Sequence, residues 1–272
     1  MFQWYRGAYI CVIHLTTGPT LWEDEWATRG WTLQEYFAAR RFKVIMAHEP
    51  DLTGFKFDAF RMEYQNLWLR TPPDKFEKWR KYEHDVDQAY SLFVQMSKRK
   101  TTKAVDKAYC LFSALKVNIP VQDGEDFDTA FYRLQVECLT HSKNPRLLFW
   151  DGASSPYNSM LAHDFSGFPD DDRWVGAWCS PRLDVNFASG AMRIRAHLIP
   201  GVISPSSPQS HIFMLLTYTT EVDVIKVVGV VLERLPRFKS PYPTYRRVGP
   251  YSYKCARSYL DENAEGEWIE IE

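Results

Sequence analysis

Four groups of residues have types and spacings that could do chemistry. Trp31 and Glu35 stand four apart in Arg29-Gly30-Trp31-Thr32-Leu33-Gln34-Glu35. On a helix both occupy one face, which sets the carboxylate beside an aromatic wall. Thr32 and Glu35 also satisfy the Ser/Thr-x-x-Glu pattern of a capping box, in which Thr32 caps the helix and Glu35 bonds back to the Thr32 amide. Such a cap contributes about 1 kcal/mol and needs no catalysis, and it is the reading the residues favour. In Arg99-Lys100-Thr101-Thr102-Lys103, the side chains of Arg99, Lys100 and Thr102 could hold a small anion at a helix start. The plainer reading is a capped, solvated helix start with Asp106 complementing the helix dipole. Cys11/His14 and Cys138/His141 are Cys-x-x-His pairs, but zinc sites group four ligands more tightly, so no metal site is expected. Asp170-Asp171-Asp172 lacks the spacing of a calcium loop and reads as a solvated turn. No Gly-x-Gly-x-x-Gly, Gly-x-x-x-x-Gly-Lys or Gly-x-Ser-x-Gly occurs, so neither a standard phosphate cradle nor a hydrolase elbow is encoded.

The elements that must position these groups follow from periodicity. Residues 8–15 read as a buried strand, 31–40 as a helix with Leu33, Tyr36 and Phe37 on one face, and 44–46 as a second strand. A long amphipathic helix opens at Pro72-Pro73 and carries Phe76, Trp79, Val86, Tyr90 and Phe93 inward. Two more helices are expected over 103–116 and 126–141, the latter with Phe127, Phe131, Leu134 and Cys138 inward. After Asn144-Pro145 turn residues cluster at 151–159, 166–172, 200–210 and 239–250, and strands are expected at 192–199, 212–218, 222–232 and 268–271. A boundary near residue 146 follows, with an α/β domain over 1–145 and a β-rich accessory region over 146–272.

Composition restricts the function classes. The 33 Lys and Arg balance 34 Asp and Glu, which gives no electrostatic reason to expect nucleic acid or an anionic membrane as partner. Five widely spaced cysteines fit reduced thiols in a cytosolic or nuclear compartment better than a secreted disulfide framework, and the cytoplasm is the expected location. The run from Val227 to Leu232 is too short to span a bilayer. The chain opens on the apolar residues Phe2, Trp4, Tyr5, Ala8 and Tyr9. Termini usually lie exposed, so either this end docks into a core or something that preceded it is absent.

Three segments, in order, resemble the fungal heterokaryon-incompatibility (HET) family. They are Met1-Phe2-x-Trp4-Tyr5-x-x-Ala8; Trp26-x-Thr28-Arg29-Gly30-Trp31-Thr32-Leu33-Gln34-Glu35; and Arg99-Lys100-Thr101-Thr102 through Asp106-x-Ala108-Tyr109, Val117-Asn118-Ile119-Pro120, Gly124-Glu125 and Ala130-Phe131-x-Arg133-Leu134-Gln135. Leu148-x-Trp150-x-Gly152 and Tyr157-Asn158-Ser159 extend the likeness. The chain departs from the family pattern at Tyr36-Phe37-Ala38-Ala39 and at Asp123, and it begins after two strands the family carries upstream. The resemblance implies an α/β front half of flavodoxin-like, Toll/interleukin-receptor (TIR)-like type with added helices, followed by a mostly β C-terminal region. It further implies a role in fungal non-self recognition and programmed cell death, with protein partners or self-assembly and no cofactor. It also implies an alternative. In TIR domains that cleave NAD, a Trp followed four residues later by a catalytic Glu begins a helix, and Trp31 and Glu35 match that spacing. Glu35 would then stabilise an oxocarbenium-like centre as nicotinamide leaves NAD, the substrate. Two of the strands that would wall such a site are missing, so the expectation is a non-catalytic module. A truncated, inactive gene product is the remaining alternative.

Overall fold

The computed structural model describes residues 2–17, 23–39, 42–45, 88–168, 183–188, 191–199, 211–220, 224–236, 240–256 and 266–272. The chain divides into two compact units, Met1–Ala130 and Phe131–Glu272. The division falls inside a helix, Phe127–Ser142, rather than at the turn after it where the sequence suggested a boundary. The first part of the helix expected from Pro72, and the acidic run Asp170–Asp172, lie outside the described residues.

The first unit contains α1 (Phe2–Gly7), β1 (Cys11–His14), α2 (Glu25–Thr28), α3 (Thr32–Ala38), β2 (Phe42–Ile45), α4 (Gln88–Ser97) and α5 (Asp106–Phe112). β1 and β2 run parallel, pairing Cys11 with Phe42 through His14 with Ile45. α5 lies at the centre of this unit, because Ala108, Tyr109, Cys110, Leu111 and Phe112 are all buried and the helix has no polar face among them. α4 buries Leu92, Phe93 and Met96 completely. β1 was expected to be buried on both faces, yet only Ile13 points inward, and Val12 is 50% exposed. Trp4 is 78% and Tyr9 70% exposed, so these two aromatics do not dock into the core.

The second unit takes α6 (Phe127–Ser142) from Phe131 onward and packs it against the loop that follows. Phe131 lies 4.2 Å, centroid to centroid, from Phe165. Gln135 clasps the backbone of Ala162, donating from Nε2 at 2.9 Å and accepting at Oε1 at 2.9 Å. Six strands follow: β3 (Asp184–Ala188), β4 (Ala191–Ile199), β5 (His211–Thr220), β6 (Val224–Arg234), β7 (Thr244–Ala256) and β8 (Gly266–Ile271). β4 to β8 pair in sequence order, and β8 returns to β4 over six residue pairs from Met192/Ile271 to His197/Gly266, which closes a five-stranded barrel. β3 lies outside the ring against β4. Alternation along β4 turns Met192, Ile194, Ala196 and Leu198 inward, and with Met214, Val230, Ile269 and Ile271, which the strand register places on the same face, they fill the interior as small barrels require.

The flavodoxin- or TIR-like fold is therefore not the fold of this chain. Among the described residues the parallel sheet has two strands, and the larger sheet is an almost wholly antiparallel closed barrel. The reason is local. A parallel strand in such a sandwich is covered on both faces, and the half-exposed Val12 shows that β1 is not. The strands expected at 192–199, 212–218 and 268–271 are present, as is the one expected at 222–232 from Val224 onward, residues 222 and 223 lying outside the described residues. β7 was not foreseen, because Pro243, Gly249 and Pro250 mark 239–250 as turns. The strand survives them through a bulge: Val231 pairs with Gly249 and Leu232 with Arg247, so Val248 is the extra residue, and Pro250 sits beside the bulge.

Candidate functional site

The site predicted from sequence is built where the loop between α2 and α3 meets the loop between α4 and α5. Arg29 and Lys100 form a parallel bridge. The Lys100 amide donates to the Thr28 carbonyl at 2.7 Å, and the Gly30 amide donates to the Lys100 carbonyl at 2.8 Å. Glycine is required here by contact: a Cβ at residue 30 would run into Thr101 Cγ2 and lie 3.4 Å from Cys110 Sγ.

The side chains then lock this bridge to the helices. Arg99 is only 5% exposed, and its Nη1 donates to the Arg29 carbonyl at 2.8 Å and to Thr32 Oγ1 at 2.8 Å. Thr32 Oγ1 shares its own proton between the carbonyls of Trp26 and Arg29, each at 2.7 Å. Gln34, also buried, donates from Nε2 to the Cys110 carbonyl at 2.6 Å. Trp31 Nε1 donates to Asp106 Oδ2 at 3.2 Å. Burial pushes the Arg99 guanidinium down to about 10; the neighbouring Cys110 and Tyr36 pull the other way. It stays charged at neutral pH. Thr102 stays on the exposed rim, as do Arg29 and Lys100.

The capping box is not formed. Trp31 is the N-cap residue, in helical conformation and with no side-chain cap bond. Thr32 already lies inside the helix, so its hydroxyl turns back to carbonyls rather than to an amide. Glu35 is drawn elsewhere: its Oε2 accepts from Trp26 Nε1 at 3.3 Å, and Tyr5 also donates to it. Burial first, then the Glu35 charge and hydrogen bond, raise the Tyr5 phenol to about 12. Burial and the same charge raise the Cys11 thiol. A raised thiol is a poor nucleophile at neutral pH. The carboxylate is thus held as an acceptor among Trp26, Tyr5 and Cys11.

The structure brings together Arg29, Gly30, Trp31, Thr32, Gln34, Glu35, Arg99 and Lys100. The sequence reading missed Tyr5, Cys11 and Asp24 as parts of this assembly. Asp24 is 1% exposed, caps α2 by accepting from the Trp26 amide at 2.8 Å, and accepts from the Thr16 and Thr17 amides at 2.7 and 2.8 Å. An acidic residue one position before a short helical run is the signal that could have identified it. The Cys-x-x-His pair in α6 does not converge on a ligand, since Cys138 is buried while exposed His141 meets the Glu137 carbonyl at 3.0 Å. Among the described residues no group of His, Cys, Asp and Glu could hold a metal ion. Nor is any helix among them long and apolar enough to cross a membrane.

The chain is similar to the Vegetative incompatibility protein HET-E-1 of Podospora anserina, with 28% identity over 162 residues. The likeness covers 50% of this chain and 10% of that protein, so the chain matches about a tenth of the relative's length. No protein-family model matches the chain, and no solved structure does.

Proposed function

We propose that this chain is a non-catalytic interaction module of a fungal incompatibility protein, acting in the cytoplasm in non-self recognition and cell-death signalling through protein partners or self-assembly. One observation supports this most: the three segments that resemble the HET family interlock, and their polar side chains are taken up by one another. Arg99 holds Arg29 and Thr32, Gln34 holds α5, and Trp26 and Tyr5 hold Glu35. The residues form a scaffold, with no nucleophile set beside a base. The partial likeness to an incompatibility protein supports the biological role. The barrel unit is then the recognition or accessory part.

The test is expression of the full chain at high, verified levels in a filamentous fungal host. Growth arrest is the expected result, and normal growth overturns the proposal. A cooperative melt of the purified protein separates this module from an inactive, partly folded product.

A further inference from the structure

β4 changes neighbour along one edge, and the change leaves a gap. Its residues 191–195 pair with β3, ending at Arg195 opposite Asp184. Its residues 197–199 pair with β5, starting at His197 opposite Leu215. Ala196 falls between the two registers and pairs only across the other edge, with Glu267 of β8. β5 bends at this point, because Leu216 is the extra residue of a bulge: Leu215 pairs with Gly229 and Thr217 with Val228. A cavity of about 200 Å³ lies there, lined by residues of β4, β5 and β8 and by Leu183 and Asp184 at the start of β3. Leu183, Ala196, Leu215 and Leu216 are buried and form its apolar floor, while the exposed Asp184 and Arg195 stand at its rim.

That rim carries a cation without a partner. Arg195 and Asp184 face each other across the β3–β4 pair, where opposite charges ordinarily bond. Asp184 Oδ1 instead lies 3.9 Å from Lys143 Nζ, and among the described residues Arg195 makes no ion pair or side-chain hydrogen bond. Its side chain is placed over β8: a Cβ at Gly266 would stand 3.6 Å from Arg195 Nε and 3.5 Å from His197 Cε1. Two nitrogen-bearing side chains thus converge over a residue that has no side chain of its own. An apolar floor with a few convergent polar groups is the ordinary form of a small-ligand site.

The lining sets the ligand. A guanidinium fork matches the two oxygens of a carboxylate. Asp184 at the same rim repels a second negative charge, which disfavours phosphates. The buried leucines call for a hydrocarbon body. Size limits that body: a cavity of about 150 Å³ takes a benzene, so a branched chain or single ring of about six carbons fits here. We infer that this cavity seats a small monocarboxylic acid, with its carboxylate on Arg195 and its hydrocarbon on Leu183, Leu215 and Leu216. The inference goes beyond the proposed signalling role and does not depend on it, since binding is read in vitro.

Saturation-transfer NMR on the full chain, titrated with isovalerate, tests it. Isovaleramide keeps the shape without the charge, acetate keeps the charge without the body, and isobutyl phosphate adds a second charge. Isovalerate is expected to bind saturably and more tightly than each of the three. Arg195→Gln, at an exposed position, should weaken its binding about tenfold at an unchanged melting temperature. Gly266→Val puts a side chain between Arg195 and His197 and should also weaken binding about tenfold, with Arg195 still in place. No saturable binding of isovalerate overturns the inference, as does unchanged affinity in Arg195→Gln. Isovaleramide or isobutyl phosphate binding as tightly as isovalerate overturns the carboxylate assignment, and acetate doing so overturns the hydrocarbon seat. If one variant does not fold, the other decides by the same criterion.

Discussion

Each unit contains a buried arginine with no carboxylate bonded to it among the described residues, and the two are held in opposite ways. Arg247, on β7, is 8% exposed. Its guanidinium lies 3.6 Å from the centroid of the buried Trp150 ring and donates from Nη2 to the Trp150 carbonyl. Its Nε is sealed and unpartnered, and its backbone amide donates to Ser159 Oγ at 3.2 Å. Burial pushes this group down to about 9, against the pull of Asp151. The indole face supplies a substitute for a counterion. Among the described residues no ring is stacked on Arg99, whose bonds both leave from Nη1. Arg247 is a peg holding the barrel to the loop before it, whereas Arg99 joins two loops of the first unit through neutral oxygens alone.

This contrast fixes the largest expected effect. Arg247→Ala removes the stacked group, leaves the Trp150 carbonyl without that donor and opens a cavity, so it should cost roughly 3–4 kcal/mol in urea unfolding followed by Trp fluorescence. Arg99→Met should stay within about 1 kcal/mol of wild type, because a methionine of similar length removes an uncompensated charge. Thr32 still donates to the Arg29 carbonyl in that variant. Equal losses at the two sites would break the comparison and make Arg99 a peg as well.

The glycines repeat the contrast at a smaller scale. A Cβ at Gly30 meets a side-chain methyl, Thr101 Cγ2, whereas a Cβ at Gly229 meets the Met214 carbonyl oxygen and the Phe213 ring. A methyl can be removed and a strand carbonyl cannot. Gly30→Ala should therefore lower stability by about 2 kcal/mol, and Thr101→Ser added to it should restore most of that. A double-mutant cycle measures the coupling, and additive losses would show that the clash is not what makes glycine necessary there.

The same distinction explains what could be read from the sequence. The site was legible where residue type alone carries the geometry: Arg29 to Glu35 and Arg99 to Lys100 were selected, and the chain brings them together. Their bonds were not legible, because Thr32 and Glu35 fit a local capping pattern and only tertiary packing supplies the partners that outcompete it, Arg99 for Thr32 and Trp26 for Glu35. β4 was legible from its alternation. β7 was not, since Gly249-Pro250 reads as a turn in any local window and becomes strand only with β6 beside it. The resemblance supplied an α/β sandwich, but closure of β8 onto β4 is a long-range pairing with no local mark in the residues.

The smallest effect on stability, and the sharpest on function, concerns Glu35. Its carboxylate is an acceptor shared by Trp26 and Tyr5, so Glu35→Gln, which keeps an oxygen in place, should change stability by less than about 1 kcal/mol. Its charge is also part of what raises Tyr5 to about 12 and raises the Cys11 thiol. Removing it leaves burial as the main cause, so both should fall while remaining above their ordinary values. Cys11 is half-buried while Cys110 and Cys138 are buried, which lets its alkylation be followed by peptide mass. The pH at which Cys11 alkylation accelerates should move downward in Glu35→Gln, because the thiolate then forms at lower pH. Incubated with NAD, neither protein should release nicotinamide above the blank. If the wild type released nicotinamide and Glu35→Gln did not, Glu35 would be a catalytic residue, and the first unit would hold an active site in addition to its scaffold.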